Sequence, residues 1–337
     1  MLSLIARRLL AAIPSVLGIV VVTFVLTRAL PGDPAAYYAG PAATAEAVEQ
    51  IRVKLGLDQP LWRQFLDYAG DLARGDLGLS VSTGQPVSEE LLRRLPASLE
   101  ITLLGLLLAG AIALPLGILA ATRPNSWIDH ACRLVTTLGV SLPIFFTGLL
   151  LAYVFYYLLG WAPPPVGRLD SLYSPPPHWT GFYLIDSLIA RDGRVFLSAA
   201  GQMVLPVITL ALFVLAPIAR MTRASMLGVL SSDFVRTARA SGLTPATVLY
   251  RYAFRNAMLP VLTTLGMVFS FLLGSNVVIE KVFAWPGVGS YAVDALIQSD
   301  YAPVQGFVLV MALLFVAINL LIDVLYTVID PRVSIES

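Results

Sequence analysis

The sequence predicts an all-α integral membrane protein with six transmembrane helices and a folded external cap. Two observations carry this. Of 337 residues, 57% are hydrophobic and only 13% are charged, whereas a soluble domain has about 25% charged residues. Mean hydropathy is +0.79. The charges are also clustered, which leaves six long neutral runs at 9–27, 101–122, 134–167, 195–219, 256–279 and 301–322. A helix needs about 20 apolar residues to cross a hydrocarbon core of about 30 Å. The runs are continuously apolar rather than alternating, which selects helices over a barrel.

The same composition excludes other classes. Twenty-two Lys+Arg against 21 Asp+Glu leave a net charge of +1, too little for a nucleic-acid binder. So apolar a chain is not disordered. A single cysteine, Cys132, rules out an intramolecular disulfide or a cysteine-clustered metal site.

Taken in order, the chain divides into residues 1–29, 30–97 and 98–337. The first run follows Arg7 and Arg8. It is longer than the usual signal-peptide core and no A-x-A site follows it, so it reads as a retained span. Residues 30–97 form the cap. Turn signals at Pro31-Gly32-Asp33-Pro34, Gly75-Asp76 and Gly78 alternate with amphipathic pieces over 45–55 and 60–72. Pro60 suits a first helical turn. The third run is too long for one span, and Pro163-Pro164-Pro165 cannot be helix interior, so it should stop near Gly160. Pro143 and Pro206 kink their spans. Residues 160–200 are rich in proline and aromatics. Both large external loops read either as covers for the interface or as docking surfaces.

Six spans put both termini on one side. That side, the ends plus 123–133 and 220–255, carries eleven basic residues: Arg7, Arg8, Arg123, Arg133, Arg220, Arg223, Arg236, Arg239, Arg251, Arg255 and Arg332. The opposite loops carry eleven over about twice the length, together with sixteen acids against four. Basic density therefore assigns both termini to the cytosol.

Several engines are missing from the chain. Its two lysines, Lys54 and Lys281, are not preceded by glycine, so no phosphate-binding G-x-x-x-x-G-K-[ST] loop exists. The chain is not itself an enzyme on this reading. Its two histidines, His130 and His178, lie in loops, which leaves no histidine-based catalytic or metal site at membrane depth. Only Asp323 approaches a span, so an ion-driven transporter is poorly supported. Energy for uphill movement should arrive through another chain.

The cytosolic segment 220–256 is built to receive it. Residues 223–241 are helix-compatible, with Met226, Leu230 and Phe234 four apart and Leu227 and Ala238 beside them. Gly242 sits where a left-handed residue ends a helix. Thr244 then Pro245 read as N-cap and first helical residue, and a second helix runs into the fifth span. Two amphipathic helices meeting at a glycine turn are either an interfacial loop with snorkelling arginines or a knob that docks into a soluble partner.

Residues 233–244 (DFVRTARASGLT), followed by 254–260 (FRNAMLP), resemble the EAA loop of ABC-importer permeases. Arg236, Thr237 and Ala238 stand where the general pattern has Glu-Ala-Ala. The variant here is similar to the dipeptide/oligopeptide (and nickel) branch. Residues 55–61 (LGLDQPL), 74–80 (RGDLGLS), 95–100 (LPASLE), 180–187 (TGFYLIDS), 282–289 (VFAWPGVG) and 330–332 (DPR) resemble the same branch in the same order.

The resemblance implies a permease subunit of the bacterial or archaeal cytoplasmic membrane. It would pair with a second homologous permease chain, two cytosolic ATPases that bind ATP and Mg, and an external substrate-binding protein. The chain itself would hold no cofactor. ATPase-coupling roles fall on Asp233, Arg236, Thr237, Ala238, Arg239, Ala240, Ser241, Gly242, Leu243 and Thr244. Arg239 would meet acidic groups on the ATPase. Polar residues within spans are candidates for the pathway: Ser141, Ser270, Ser275, Asn276 and Asn319. Helix–helix hydrogen bonding is the alternative for most of them. Glu280, Lys281, Trp285, Asp294 and Asp300 are candidates for an external gate or binding-protein contact, or belong to a solvated charged loop. Cargo is di- or oligopeptide, with glutathione or a nickel chelate as alternatives. A passive channel or scaffold is the rival from another class.

Overall fold

A computed structural model describes residues 2–29, 34–40, 42–54, 56–298 and 300–329. The 31–33 turn and the 330–332 motif lie outside the described residues. Among the described residues the regular secondary structure is helical apart from one isolated bridge, Leu79 to Pro86. The chain divides into two units, one built from residues up to 96 plus 286–317, the other from 97–285 plus the chain from 318 on.

The first unit contains α1 (Leu2–Ala29), α2 (Pro34–Ala39), α3 (Ala45–Lys54), α4 (Leu61–Ala73), the start of α5 (Val87–Thr122), α12 (Val288–Ile297) and the first half of α13 (Tyr301–Ile329). The two amphipathic pieces expected in the cap are α3 and α4. Pro60 stands one place before α4, as its N-cap. There the ring's fixed φ is accommodated and no helical N–H is lost. Phe24 of α1 meets Phe65 edge-on at 5.3 Å and Tyr68 at 5.8 Å. A small core gathers Val87, Leu91, Val288 and Tyr291, with Leu77, Ala302 and Phe307 packed on it.

The second unit contains the rest of α5, α6 (Trp127–Ser141), α7 (Ile144–Leu151), α8 (Tyr183–Ile189), α9 (Gly193–Leu230), α10 (Asp233–Ala240), α11 (Arg255–Val282) and the end of α13. Helix α9 is the hub and contacts α6, α7, α8, α10 and α11. Small residues let α5 approach it closely. A Cβ on Gly105 would stand 2.8 Å from that of Leu210, and one on Gly117 would stand 2.6 Å from that of Thr222. Such close contact is a common basis of association where lipid removes the hydrophobic drive. On α11, Phe271 stacks with Phe213 of α9 at 5.5 Å.

Four helices are long and apolar enough to cross a membrane among the described residues: Val87–Thr122, Gly193–Leu230, Thr247–Val282 and Tyr301–Tyr326. They carry the second, fourth, fifth and sixth neutral runs. The first run lies in α1, whose apolar stretch is Leu10–Val25.

The third run differs from expectation. Pro143 does not kink one helix but separates two. Leu142 is extended (φ −108°, ψ 142°) and α7 restarts after the proline. The proline ring disfavours helical backbone in the residue before it. From Ala152 to Leu158 the helix widens to π-type turns, and it ends before Gly160, whose φ is +62°. That end is where the sequence placed it. The external segment 280–301 also differs: α11 extends through Val282, and α12 follows with Val288, Tyr291, Ala292 and Ala295 buried.

Candidate coupling surface

The loop between the fourth and fifth spans starts where α9 stops. Ser231 and Ser232 break the helix, and α10 begins afresh from an extended Ser232 (φ −74°, ψ 154°). Restarting resets the helical register. The buried face of α10 is therefore Val235 and Ala238, while Phe234 is 45% exposed. This corrects the continuous 223–241 helix, in which Phe234 continued the stripe of Met226 and Leu230. Val235 and Ala238 join Met226, Val248, Ala253, Ala257, Ile118 and Ala121 in a small apolar cluster. That cluster holds the loop as a shaped knob.

The turn forms as its residues dictate. The Gly242 N–H bonds the Arg239 carbonyl at 3.1 Å, and Gly242 takes φ +75°, a region open to glycine at no steric cost. Thr244 Oγ1 accepts from the Thr247 N–H at 3.3 Å, and helix resumes at Pro245. Residues 247–254 are π-helical and feed directly into α11. Every residue from Arg239 to Ala246 is exposed. Asp233, Arg236 and Thr237 are exposed too, with Arg236 bonded to Asp233 at 3.2 Å. Of the ten coupling candidates only Ala238 is buried. Arg239 has no carboxylate partner among the described residues.

With that geometry in view, the comparisons with known proteins are direct. The family described as binding-protein-dependent transport system inner membrane component matches residues 113–335, and its N-terminal component matches residues 1–102. The chain belongs to this family. It is 45% identical to the probable D,D-dipeptide transport system permease protein DdpB of Escherichia coli (strain K12), over 98% of this chain and 97% of that protein. It is 45% identical to the di/tripeptide transport system permease protein DppB of Pseudomonas aeruginosa (strain UCBPP-PA14), over 99% of each. The fold is similar to an inward-facing MetNI methionine ABC transporter chain, with TM-score 0.53 at 17% identity, covering 71% of this chain and 96% of that one. The chain is thus a permease component of an ABC importer.

The remaining candidates differ in burial and bonding. Asn276 is 1% exposed and donates through Nδ2 to the Ser98 carbonyl at 3.2 Å and to Glu280 Oε1 at 3.1 Å. Ser98 Oγ adds a 2.5 Å bond to the same Glu280 oxygen. Asn276 is therefore a helix–helix hydrogen bonder here. Ser141 and Ser270 bond carbonyls one turn back, those of Thr137 and Gly266. Ser275 is half-buried and Asn319 is exposed.

The five external candidates are divided between the two units. Glu280 (1% exposed) and Trp285 (0%) are interior to the second unit, and Trp285 Nε1 donates to the Ala97 carbonyl at 2.9 Å. Asp300, in the first unit, is 1% exposed. Its Oδ2 accepts from Ser80 Oγ at 2.7 Å and from Ser82 N and Oγ, each at 3.0 Å. Only Lys281 and Asp294 are at the surface. Burial with hydrogen-bond partners makes Glu280, Trp285 and Asp300 internal ties of their own units, not a solvated charged loop, although Asp300 Oδ1 has no partner among the described residues.

The sequence reading missed the pairs that cross long stretches of chain. Arg168 bonds Glu100 and the Gly181 carbonyl, each at 2.7 Å, and lies 3.5 Å over the Tyr183 ring. Asp129 pairs with Arg223, 94 residues away. The available signal was an acid, Asp129, in a short loop otherwise charged only by Arg123 and Arg133.

Proposed function

We propose that the chain is the transmembrane permease subunit of an ATP-driven importer of di- and oligopeptides, forming half of the translocation pathway. Its partners are a second homologous permease, two cytosolic ATPases holding ATP and Mg, and an external binding protein. Both termini face the cytosol. The observation that carries the coupling role is the exposed segment from Arg239 to Ala246, turned at a left-handed Gly242 and backed by the Val235–Val248 cluster. Peptide cargo is supported by the names of the relatives at 45% identity.

ATP draws the ATPases together, the coupling segments move with them, and the spans rock to face out. Inverting a 1:99 population takes about 5.5 kcal/mol of differential binding, within reach of ATP binding by the partners.

Gly242→Val tests this. Nothing lies within 4 Å of a Cβ there, so the variant meets no steric clash. It forces a β-branched residue into left-handed backbone, at about 1–2 kcal/mol. The protein should remain in the membrane while peptide uptake uncouples from ATP hydrolysis. Normal uptake with normal ATPase stimulation would remove the coupling role. Uptake of glutathione or a nickel chelate in place of peptide would keep the architecture and change the cargo.

A further inference from the structure

The second unit holds a fully buried carboxylate that the coupling reading leaves unused. Asp129, in the first turn of α6, is 0% exposed. Arg223 of α9 grips it with two bonds, Nε to Oδ1 and Nη2 to Oδ2, both 2.7 Å. Arg133 Nη2 adds a bond of 3.1 Å and the Asn125 N–H one of 3.0 Å. Asn125 delivers its N–H from φ +58°, a sparsely populated conformation that persists where its surroundings over-determine it. A short loop and one helical turn are shaped around a single carboxylate.

A forked guanidinium–carboxylate pair fixes orientation as well as distance, so it resists rotation of α9 as well as sliding. Its position matters for the same reason. Arg223 precedes the end of α9 at Leu230 by seven residues, about 10 Å of helix, and α10 starts after the two-serine break. On the other side of the pair, α6 leads to the break at Pro143. Behind the coupling segment lies a cavity of about 630 Å³, with Thr122, Pro124, Leu227, Leu230, Arg239 and Leu243 in its lining. The segment packs on Ile118 and Ala121 at the end of α5, and the ion pair joins the turn between α5 and α6 to α9.

We propose that the Asp129–Arg223 pair is the strut that carries displacement of the coupling segment from α9 into α6 and the broken third span. Both are positioning residues. The idea rests on the coupling reading above.

The test uses the assembled transporter in liposomes, with uptake of a radiolabelled dipeptide and ATP hydrolysis measured on the same samples. Cys132, the single cysteine, lies three residues past Asp129 and is half-buried. Its rate of maleimide modification, located by mass spectrometry, reports on α6. Arg223→Gln should retain its ATPases and keep basal hydrolysis within about twofold, while uptake per ATP falls about tenfold. ATP should also cease to alter the Cys132 rate. Arg223→Lys, a charge without the fork, should fall between, and it carries the test alone if Arg223→Gln does not accumulate. A purely structural pair would lower the amount of folded complex but leave both ratios at wild-type values, and that result overturns the strut. Gly242→Val keeps the two readings apart. If it uncouples and Arg223→Gln does not, only the strut is wrong. If it transports normally, the coupling reading itself fails.

Discussion

Gly117 sets the closest approach of α5 to α9, and alanine there should drive the two helices apart. The added Cβ would stand 2.6 Å from Thr222 Cβ and 2.8 Å from both the Ala219 carbonyl oxygen and Thr222 Cγ2. Carbon atoms rest at about 3.5–4.0 Å, so the helices must part by about 1 Å at this level. Neither a backbone oxygen nor a Cβ can rotate away. Overpacking of this kind costs about 1–3 kcal/mol, and alanine's helical advantage over glycine returns about 0.5–1 kcal/mol. A net loss of about 1–2 kcal/mol at about 2–4 °C per kcal/mol lowers the apparent Tm by a few degrees. Two other glycines supply the contrast. A Cβ on Gly266 meets the end of the Ile322 side chain, which can turn aside, and a Cβ on Gly110 meets nothing within 4 Å. Heating each purified variant in detergent and following the surviving monodisperse fraction should rank Gly117→Ala lowest, Gly266→Ala next and Gly110→Ala level with the parent. The packing argument fails if Gly117→Ala is no less stable than Gly110→Ala, or if Gly266→Ala is the worst of the three.

Three further outcomes are expected. Trp285→Phe removes the indole donor from the Ala97 carbonyl, at about 1 kcal/mol; the same thermal assay should show a fall of a few degrees, and an unchanged Tm would contradict it. Asp300→Ala removes the acceptor of three bonds from Ser80 and Ser82, so limited proteolysis should cut within 78–86 sooner than in the parent; equal cutting would show that the turn is held otherwise. The third outcome concerns acid. Hydrogen bonding from Arg223 holds the Asp129 carboxyl at about 2, below the ordinary carboxylate value near 4. A depressed carboxylate contributes fully above the unfolded value and loses that contribution as pH falls toward the folded one. The stability gap between the parent and Asp129→Asn should therefore be level from pH 7 to 5 and close between about pH 4 and pH 2. A gap that widens in acid would refute it.

Local chemistry made much of this chain readable. Gly242 predicts a left-handed turn because few other residues tolerate one, and Thr244 with Pro245 marks the next helix for equally local reasons. The stop near Gly160 followed from three successive prolines. The misreadings have physical sources as well. Hydropathy counts apolar residues without asking whether one helix holds them all, so it makes Pro143 a kink in a run that the chain in fact divides. Helical spacing was extrapolated across Ser231 and Ser232, and a two-residue interruption turned Phe234 outward and Val235 inward. Charge at Glu280 and Asp300 reads as an external gate or contact or as a solvated loop, yet each is buried with donors from elsewhere in its own unit. Asp129 and Arg223 meet only because α6 packs against α9, and no window along the sequence contains both.

The spans differ greatly in how much company they keep. In α9, 67% of the most apolar window is buried within the chain, and in α13 only 6%. A substitution in α9 therefore meets neighbours in nearly every direction, whereas most positions in α13 keep part of their surface open. The two helices are similarly hydrophobic, but they should age at different rates. Variation should accumulate on α13 wherever no other subunit covers it, while α9 admits little beyond residues of matching volume. A fluorophore or purification handle placed at membrane depth would disturb the chain least at exposed positions of α13 such as Leu313 and Leu321.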